Sequence, residues 1–348
     1  MASERGGARV GLCRKERVLR ALRRQPVDQL PTQSNYTRAM GRLLCGHFGI
    51  SAAELPDRLG NHLLRVDIDH PRPTNADGSI EFDWWGAGWD TRTEGYWHAF
   101  SPLGDSLDLD RYPWPNPDDA ILSTARRTIL RDGADYFIAP NLGMCLFERA
   151  WSLRGFDALL MDMVERTEWV EHLLDRITEI QASLAGRFIE AGVAGGYFGD
   201  DYGAQRAMLF SPRLWRKLMK PRLAKLFAVF LDAGLPVVLH SDGDIRAILP
   251  DLVEIGLTTL NPVQPEVLDH KWLRNEYGEK LSFYGGISTQ GVLPGGTVEE
   301  VRAATVACAR ALAPDGTGLL LGASHRMQSD IPARNVEAML DAFDETSR

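Results

Sequence analysis

The chain has 348 residues, 44% hydrophobic and 25% charged, the balance of a globular protein rather than of a disordered, collagenous or membrane-embedded one. Asp and Glu outnumber Lys and Arg by 47 to 39, a net charge of −8 with histidine neutral; with no long basic run, neither nucleic acid nor an anionic membrane is an expected partner. Only six of the 39 cations are lysine, which removes most candidates for Schiff-base chemistry. Cys13, Cys45, Cys145 and Cys308 are widely spaced, with no Cys-x-x-Cys or Cys/His cluster, so neither a zinc ribbon nor a disulfide framework is indicated. The first 22 residues carry charges throughout and no apolar run, and no window reaches the ~18 apolar residues of a membrane span. These features predict a soluble, unexported protein of the reducing cytoplasm, folded as one domain over residues 1–348.

In chain order, residues 14–24 place Val18, Leu19 and Leu22 on one helical face, and the prolines that follow predict a change to strand. Eight apolar runs of strand length come next, at 30–34, 64–68, 136–139, 196–198, 237–239, 258–260, 281–284 and 319–322. Helix-period segments lie between several of them, at 156–191 (one helix or two), 211–233, 244–256, 297–313 and 331–346. Ser211-Pro212 reads as an N-cap with proline at the first helical position, and Thr297 with Glu300 as a capping box. Eight alternating units predict an α/β fold, a (β/α)8 TIM barrel with an N-terminal helical extension; a doubly wound open sheet is the alternative, although no Gly-x-Gly-x-x-Gly follows an early strand. Residues 80–115 form an insertion. Its alternating, aromatic-rich first half predicts a β-hairpin with Trp85, Trp89 and Trp97 on one face and Trp84 and Tyr96 on the other, lying over one mouth as a wall or lid. A homodimer interface is the alternative use of the second aromatic face.

Catalytic groups of such barrels come from the C-terminal ends of the strands, and here those ends are polar. Asn35 and Tyr36 follow the first run, Asp69 and His70 the second, Asn141 the third, and Asp200, Asp201 and Tyr202 the fourth. The fifth ends in His240, Ser241 and Asp242, the sixth in Asn261 and Gln264, the seventh in a Gly285-Gly286 turn, and the eighth in Ser324 and His325. His240 and His325 can approach one another only across the mouth, with Asp242, Asp200 or Asp201 nearby. Two imidazoles, a carboxylate and an open position match a catalytic zinc site; Asp242-Gly243-Asp244 reads equally well as a turn opening the next helix. Glu148-Arg149 is either an exposed helical pair or, just past the third strand, a source of a ligand or base. The Gly285 and Gly286 N–H groups could meet an anion, though tight turns need glycine in any case. No Gly-x-Ser-x-Gly elbow or Cys–His pair supports acyl-enzyme chemistry.

Several segments resemble the uroporphyrinogen decarboxylase superfamily: FERAWSLRGFDALLMDM (147–163), GDDYGAQRAMLFSPRLWRKLMKPRLAKLF (199–227), LHSDGDI (239–245), LNPVQPE (260–266), YGEKLSFYGGISTQGVLP (277–294) and GASHRMQSDIPARNVEAM (322–339). The likeness runs over roughly residues 14–345 and implies a (β/α)8 barrel with its site at the C-terminal mouth. True uroporphyrinogen decarboxylases are cofactor-free and carry an Arg-x-Ala-Gly-Arg segment after the first strand. This chain has Gln33-Ser34-Asn35-Tyr36-Thr37-Arg38 there, without the clamp for a polyanion. The other branch comprises corrinoid-linked methyltransferases and O-demethylases with a zinc site. Its thiol-activating members carry His-x-Cys after the fifth strand and a late Cys after the eighth, where this chain has His240-x-Asp242 and His325. Imidazole and carboxylate make the site harder and favour oxygen or nitrogen substrates over thiols.

The resemblance thus implies a zinc-dependent methyltransferase that takes a methyl group from a small ether- or amine-type donor to a corrinoid on a separate partner protein; the chain has no Asp-x-His-x-x-Gly corrinoid motif of its own. His240, Asp242 and His325 are the expected ligands, with Glu148 as substitute or fourth. Asp200 or Asp201, with Tyr202 beside them, would supply the general acid or hold a ligand in place. Asn35, Tyr36, Asn141, Asn261, Gln264, Trp84 and Tyr96 would contact substrate. The rival expectations are a decarboxylase or lyase acting on a small carboxylate, metal-assisted or cofactor-free, and a catalytically silent binding protein on the same barrel.

Overall fold

The computed structural model describes residues 11–95 and 97–346. In chain order its strands are β1 (Leu63–Val66), β2 (Ile80–Phe82), β3 (Gly88–Asp90), β4 (Trp97–Phe100), β5 (Phe137–Leu142), β6 (Gly196–Gly199), β7 (Val237–His240), β8 (Thr259–Asn261), β9 (Ser282–Ile287) and β10 (Leu319–Ala323). Seven of these form one curled parallel sheet in the order β1-β5-β6-β7-β8-β9-β10, each at the place of an apolar run in the sequence. Every residue of β9 and β10 is buried, as parallel strands covered on both faces require. One face packs on the helices. The other encloses Leu63, Phe137, Tyr197, Val238, Tyr284 and Leu320, which cluster with Val18 and Leu22 of the leading helix Arg14–Leu22. The fold is TIM-barrel-like, and among the described residues no helix is long and apolar enough to cross a membrane.

The first expected strand, 30–34, is an extended segment rather than a strand, and it spans the gap between the sheet's two edges. Thr32 bridges to Asn61 on one side and to Leu321 on the other. Gln33 N–H donates to the Leu321 carbonyl (2.9 Å), and Leu321 N–H to that of Pro31 (2.9 Å). Pro31 has no N–H to give, which limits the ladder. On the β1 side one backbone bond, from His62 N–H to the Thr32 carbonyl (3.1 Å), is supplemented by an amide side chain: Asn61 Oδ1 accepts from Ser34 N–H (2.8 Å) and Asn61 Nδ2 donates to the Ser34 carbonyl (3.1 Å). A Cβ at Gly322 would collide with the Gln33 carbonyl, so the β10 edge admits this segment only because position 322 is glycine.

The helices follow most of the predicted spans, although 244–256 is reduced to a 3-10 turn, Arg246–Ile248, and a short helix, Leu249–Glu254. Residues 156–191 form two helices, Phe156–Glu165 and Thr167–Ala191. Residues 211–233 divide into Pro212–Leu218 and Lys220–Leu231, the second opening on Pro221. The capping box of Thr297 and Glu300 is present on both its hydrogen bonds. Gly285 and Gly286 do not form a turn: they lie inside β9 at φ +106° and +99°, and Gly286 N–H donates to the Pro262 carbonyl (3.0 Å).

The insertion holds a three-stranded antiparallel sheet, β2-β3-β4, where two strands were expected. The register shifts between Gly88 and Trp89, so Trp89 lies opposite His98 and Trp97 opposite Asp90. That irregularity separates the expected face: Trp85 and Trp89 are buried whereas Trp97 is 62% exposed. Tyr96 lies outside the described residues.

Replacing Asn61 with Ala would leave the buried Ser34 N–H and carbonyl without partners. At about 1–3 kcal/mol for each such group, a loss of about 2–4 kcal/mol in urea unfolding is the expected outcome.

Candidate active site at the strand ends

The C-terminal ends of the strands open on a cavity of about 520 Å³ that takes in His240, Asp201, Glu148, Asn35, Asn141, Asn261 and His325. Trp84, Trp85, Trp89 and Trp97 of the insertion form an aromatic wall around it. The insertion's turn is fixed to the barrel by a buried ion pair. Asp83 accepts from Arg149 (2.7 Å) and from Trp89 Nε1 (3.2 Å), and Arg149 also lies over the Trp85 ring at 5.0 Å. Glu148-Arg149 is therefore not an exposed pair: Arg149 is buried beneath the insertion and Glu148 faces the cavity.

His240, Asp242 and His325 come together as the sequence suggested, with one ligand atom from each within 4.8 Å of the others. Nε2 of His240 and Nε2 of His325 each stand 3.7 Å from a different oxygen of Asp242. Asn261 sets the His240 tautomer: its Oδ1 is 2.6 Å from His240 Nδ1, while its Nδ2 donates to the Tyr284 carbonyl (3.0 Å). Because that Nδ2 donates elsewhere, Oδ1 is the end that meets the imidazole, so Nδ1 carries the proton and the Nε2 lone pair points to Asp242 and His325. Among the described residues this is the one cluster of three such donors. Two imidazoles, a carboxylate and an open side toward the cavity fit a zinc-type ion.

Adjacent acidic residues divide their tasks. Asp200 is fully buried and turned from the cavity, accepting from Phe147 N–H (2.9 Å), Glu148 N–H (2.8 Å) and Tyr202 Oη (2.5 Å). It thus caps helix Phe147–Arg154, and burial lifts its carboxyl to about 6 against those hydrogen bonds. Tyr202, equally buried, serves Asp200 instead of a substrate. Asp201 points the other way, lies 3.9 Å from His240 Nε2, and accepts from Asp242 N–H (2.8 Å). Burial, then the charges of Asp201 and Asp200, push Glu148 well above the ordinary glutamate range. A carboxyl raised in this way, lining the same cavity as the histidines, is a candidate proton donor.

The remaining expected residues separate. Asn35 lines the cavity and donates to Tyr284 Oη (2.9 Å), and Asn141 lines it while donating to Asp67 (2.9 Å). Tyr36 does not line it; its ring packs against Gly41. Asn261 is 4% exposed and held by His240, Tyr197 and Tyr284, so it orients the histidine more than a substrate. Gln264 lies outside the main cavity and holds the Asp242 loop by accepting from Gly243 N–H (3.1 Å). Sequence reasoning missed Arg65, Asp67, Asp83 and Glu94, all of which line the cavity. Arg65, a charge inside the apolar run of β1, was a readable signal; the others were not.

The two aspartates are separable by experiment. Asp200→Ala orphans three buried donors and is expected to cost at least about 3 kcal/mol in denaturant unfolding. Asp201→Asn keeps an acceptor for Asp242 N–H and is expected to stay within about 1 kcal/mol of the parent.

A family model described as uroporphyrinogen decarboxylase (URO-D) matches residues 146–346. No curated protein sequence gives a significant match. Among solved structures, a methyltransferase from Methanosarcina mazei superposes with a TM-score of 0.73 at 21% identity, over 96% of this chain and 99% of that one. A B12-independent methionine synthase from Shewanella sp. W3-18-1 superposes with a TM-score of 0.51 at 12% identity, over 92% and 95%. At these identities the likeness is one of fold. The family match runs from helix Phe147–Arg154 to the last helix and contains His240, Asp242 and His325, and on it the chain belongs to the uroporphyrinogen decarboxylase family.

Proposed function

We propose that this chain is a zinc-dependent methyltransferase that takes a methyl group from a small ether- or amine-type donor and passes it to a corrinoid carried by a separate protein. The observation that carries the reading is the convergence of His240, Asp242 and His325 within 4.8 Å on the edge of an aromatic-walled cavity. A zinc ion held there would act as a Lewis acid toward the heteroatom that bears the methyl group. The chain's own residues do the rest. Asn261 keeps His240 in the tautomer a ligand needs. Glu148, held protonated, supplies a proton to the departing oxygen or nitrogen. The tryptophans exclude water and take the apolar body of the donor.

Decarboxylation of a porphyrinogen polyanion is poorly supported. The arginine of the segment after the first strand, Arg38, is exposed and is not among the residues lining the cavity, and the cavity presents Asp67, Asp83, Glu94, Glu148 and Asp201 beside its arginines.

Protein prepared without chelator is expected to hold about one zinc per chain by elemental analysis, and His240→Ala to lose it while folding normally. Full turnover by metal-free protein overturns the reading. Glu148→Gln is expected to lower kcat by about 10²–10⁴-fold. Because the acid must be protonated, activity of the parent should fall as pH rises through the raised Glu148 value, and the variant should lack that alkaline limb.

A further inference from the structure

The inserted sheet and the loop after β10 meet at one carboxylate. Glu94, between β3 and β4, accepts hydrogen bonds from the Ser329 N–H at 3.2 and 3.3 Å to its two oxygens. It also accepts from the Ser329 hydroxyl (2.5 Å) and from the Thr37 hydroxyl. Between those two anchors Met327 pairs with the neighbouring segment, its N–H donating to the Asn35 carbonyl (2.9 Å) and its carbonyl accepting from Thr37 N–H (3.0 Å). The carboxylate therefore clamps both sides of this bridge from outside the barrel. Hydrogen bonds to an ionised acceptor are the stronger kind.

The loop so clamped carries His325. His240 sits at the last position of β7, in register with Asn261, and is placed by the sheet. His325 lies two residues beyond β10, with Ser324 N–H before it still donating to the Ile287 carbonyl (2.7 Å), so its position is set by that bond on one side and by the anchors of its loop on the other. A metal site tolerates displacement of about 0.5 Å before its geometry is lost.

Resting on the metal site proposed above, we infer that Glu94 is a positioning residue for that site: by tying Ser329 and Thr37 to the inserted sheet it makes the placement of His325 depend on the sheet being seated over the cavity. Releasing the sheet loosens a metal ligand, and a seated sheet completes the ligand set.

The test is zinc affinity of the full chain, measured by competition with a chromophoric chelator, for the parent, Glu94→Gln, Ser329→Ala and the double variant. Thr37 is left intact because its hydroxyl also caps helix Arg38–Phe48. Each single substitution is expected to raise the zinc Kd by about tenfold, the lower end of what loss of a supporting contact costs a metal site. The double variant should be no weaker than the weaker single, because both act on the one link between Glu94 and Ser329. Hydrogen exchange of amides 325–329 should quicken in Glu94→Gln while that of 237–240 is unchanged. Tight zinc binding by the parent that both substitutions leave unaltered, or effects that multiply independently, overturns this inference alone. A parent chain that takes up no zinc overturns it together with the metal reading.

Discussion

Gly199 pairs with His240 and His240 with Asn261 in a single parallel register across β6, β7 and β8. That row decides most of what stands at the mouth. It sets an amide beside the imidazole so that Nδ1 is engaged and Nε2 is left outward. It also brings the residues just after β6 level with the histidine: Asp200 N–H donates to the His240 carbonyl (2.9 Å). Because side chains alternate along a strand, consecutive residues leave its end in opposite directions. Asp200 consequently turns outward under the start of helix Phe147–Arg154, and Asp201 turns inward to the histidine. A slip of one residue in this row would exchange them, placing the cap in the cavity and the polar group under the helix.

The amino-acid sequence made much of this legible, and its gaps have physical reasons. Seven strands could be located because buried parallel strands are written as short apolar runs, and His240, Asp242 and His325 stood out because each follows such a run. The first run, 30–34, carries the same composition yet forms no strand, since it meets β10 through two backbone bonds and the β1 side mostly through side chains. Asp200 and Asp201 could not be told apart, because facing depends on pairing and not on identity. The aromatic alternation of the insertion failed at an irregularity of register that no residue type announces. Glu94 was invisible for another reason: its partner Ser329 is 235 residues away in the chain, a distance over which no periodicity speaks.

The cavity combines a heavy apolar wall with a high density of charge, and the two are compatible because most of the charge is already paired. Asp83 is neutralised by Arg149 and satisfied by a tryptophan N–H and two backbone N–H groups. The guanidinium in turn lies over an indole, so the polar contacts of the insertion's turn sit inside its hydrophobic packing. Burial behind such a wall raises the carboxyls of Glu148 and Asp201, and the charges of neighbouring carboxylates add to the rise.

The asparagine clasp at the gap in the sheet has a mechanical consequence. Within the seven-stranded sheet neighbouring strands are held by ladders of backbone hydrogen bonds, but segment 30–34 is joined to β10 by two backbone bonds and to the β1 side mostly through the side chains of Asn61, His62 and Gln33. Local opening begins where few ladder bonds must break together, so the expected seam of the barrel runs along this segment. Segment 30–37 and the helix Arg38–Phe48 that hangs from it would swing out as one piece. Such a movement reaches the loop that bears His325 through Asn35 and Thr37, and it leaves β6, β7 and β8 undisturbed. Two of the three metal ligands, His240 and Asp242, are thus mounted on the rigid body of the barrel, and the third, His325, beside its hinge.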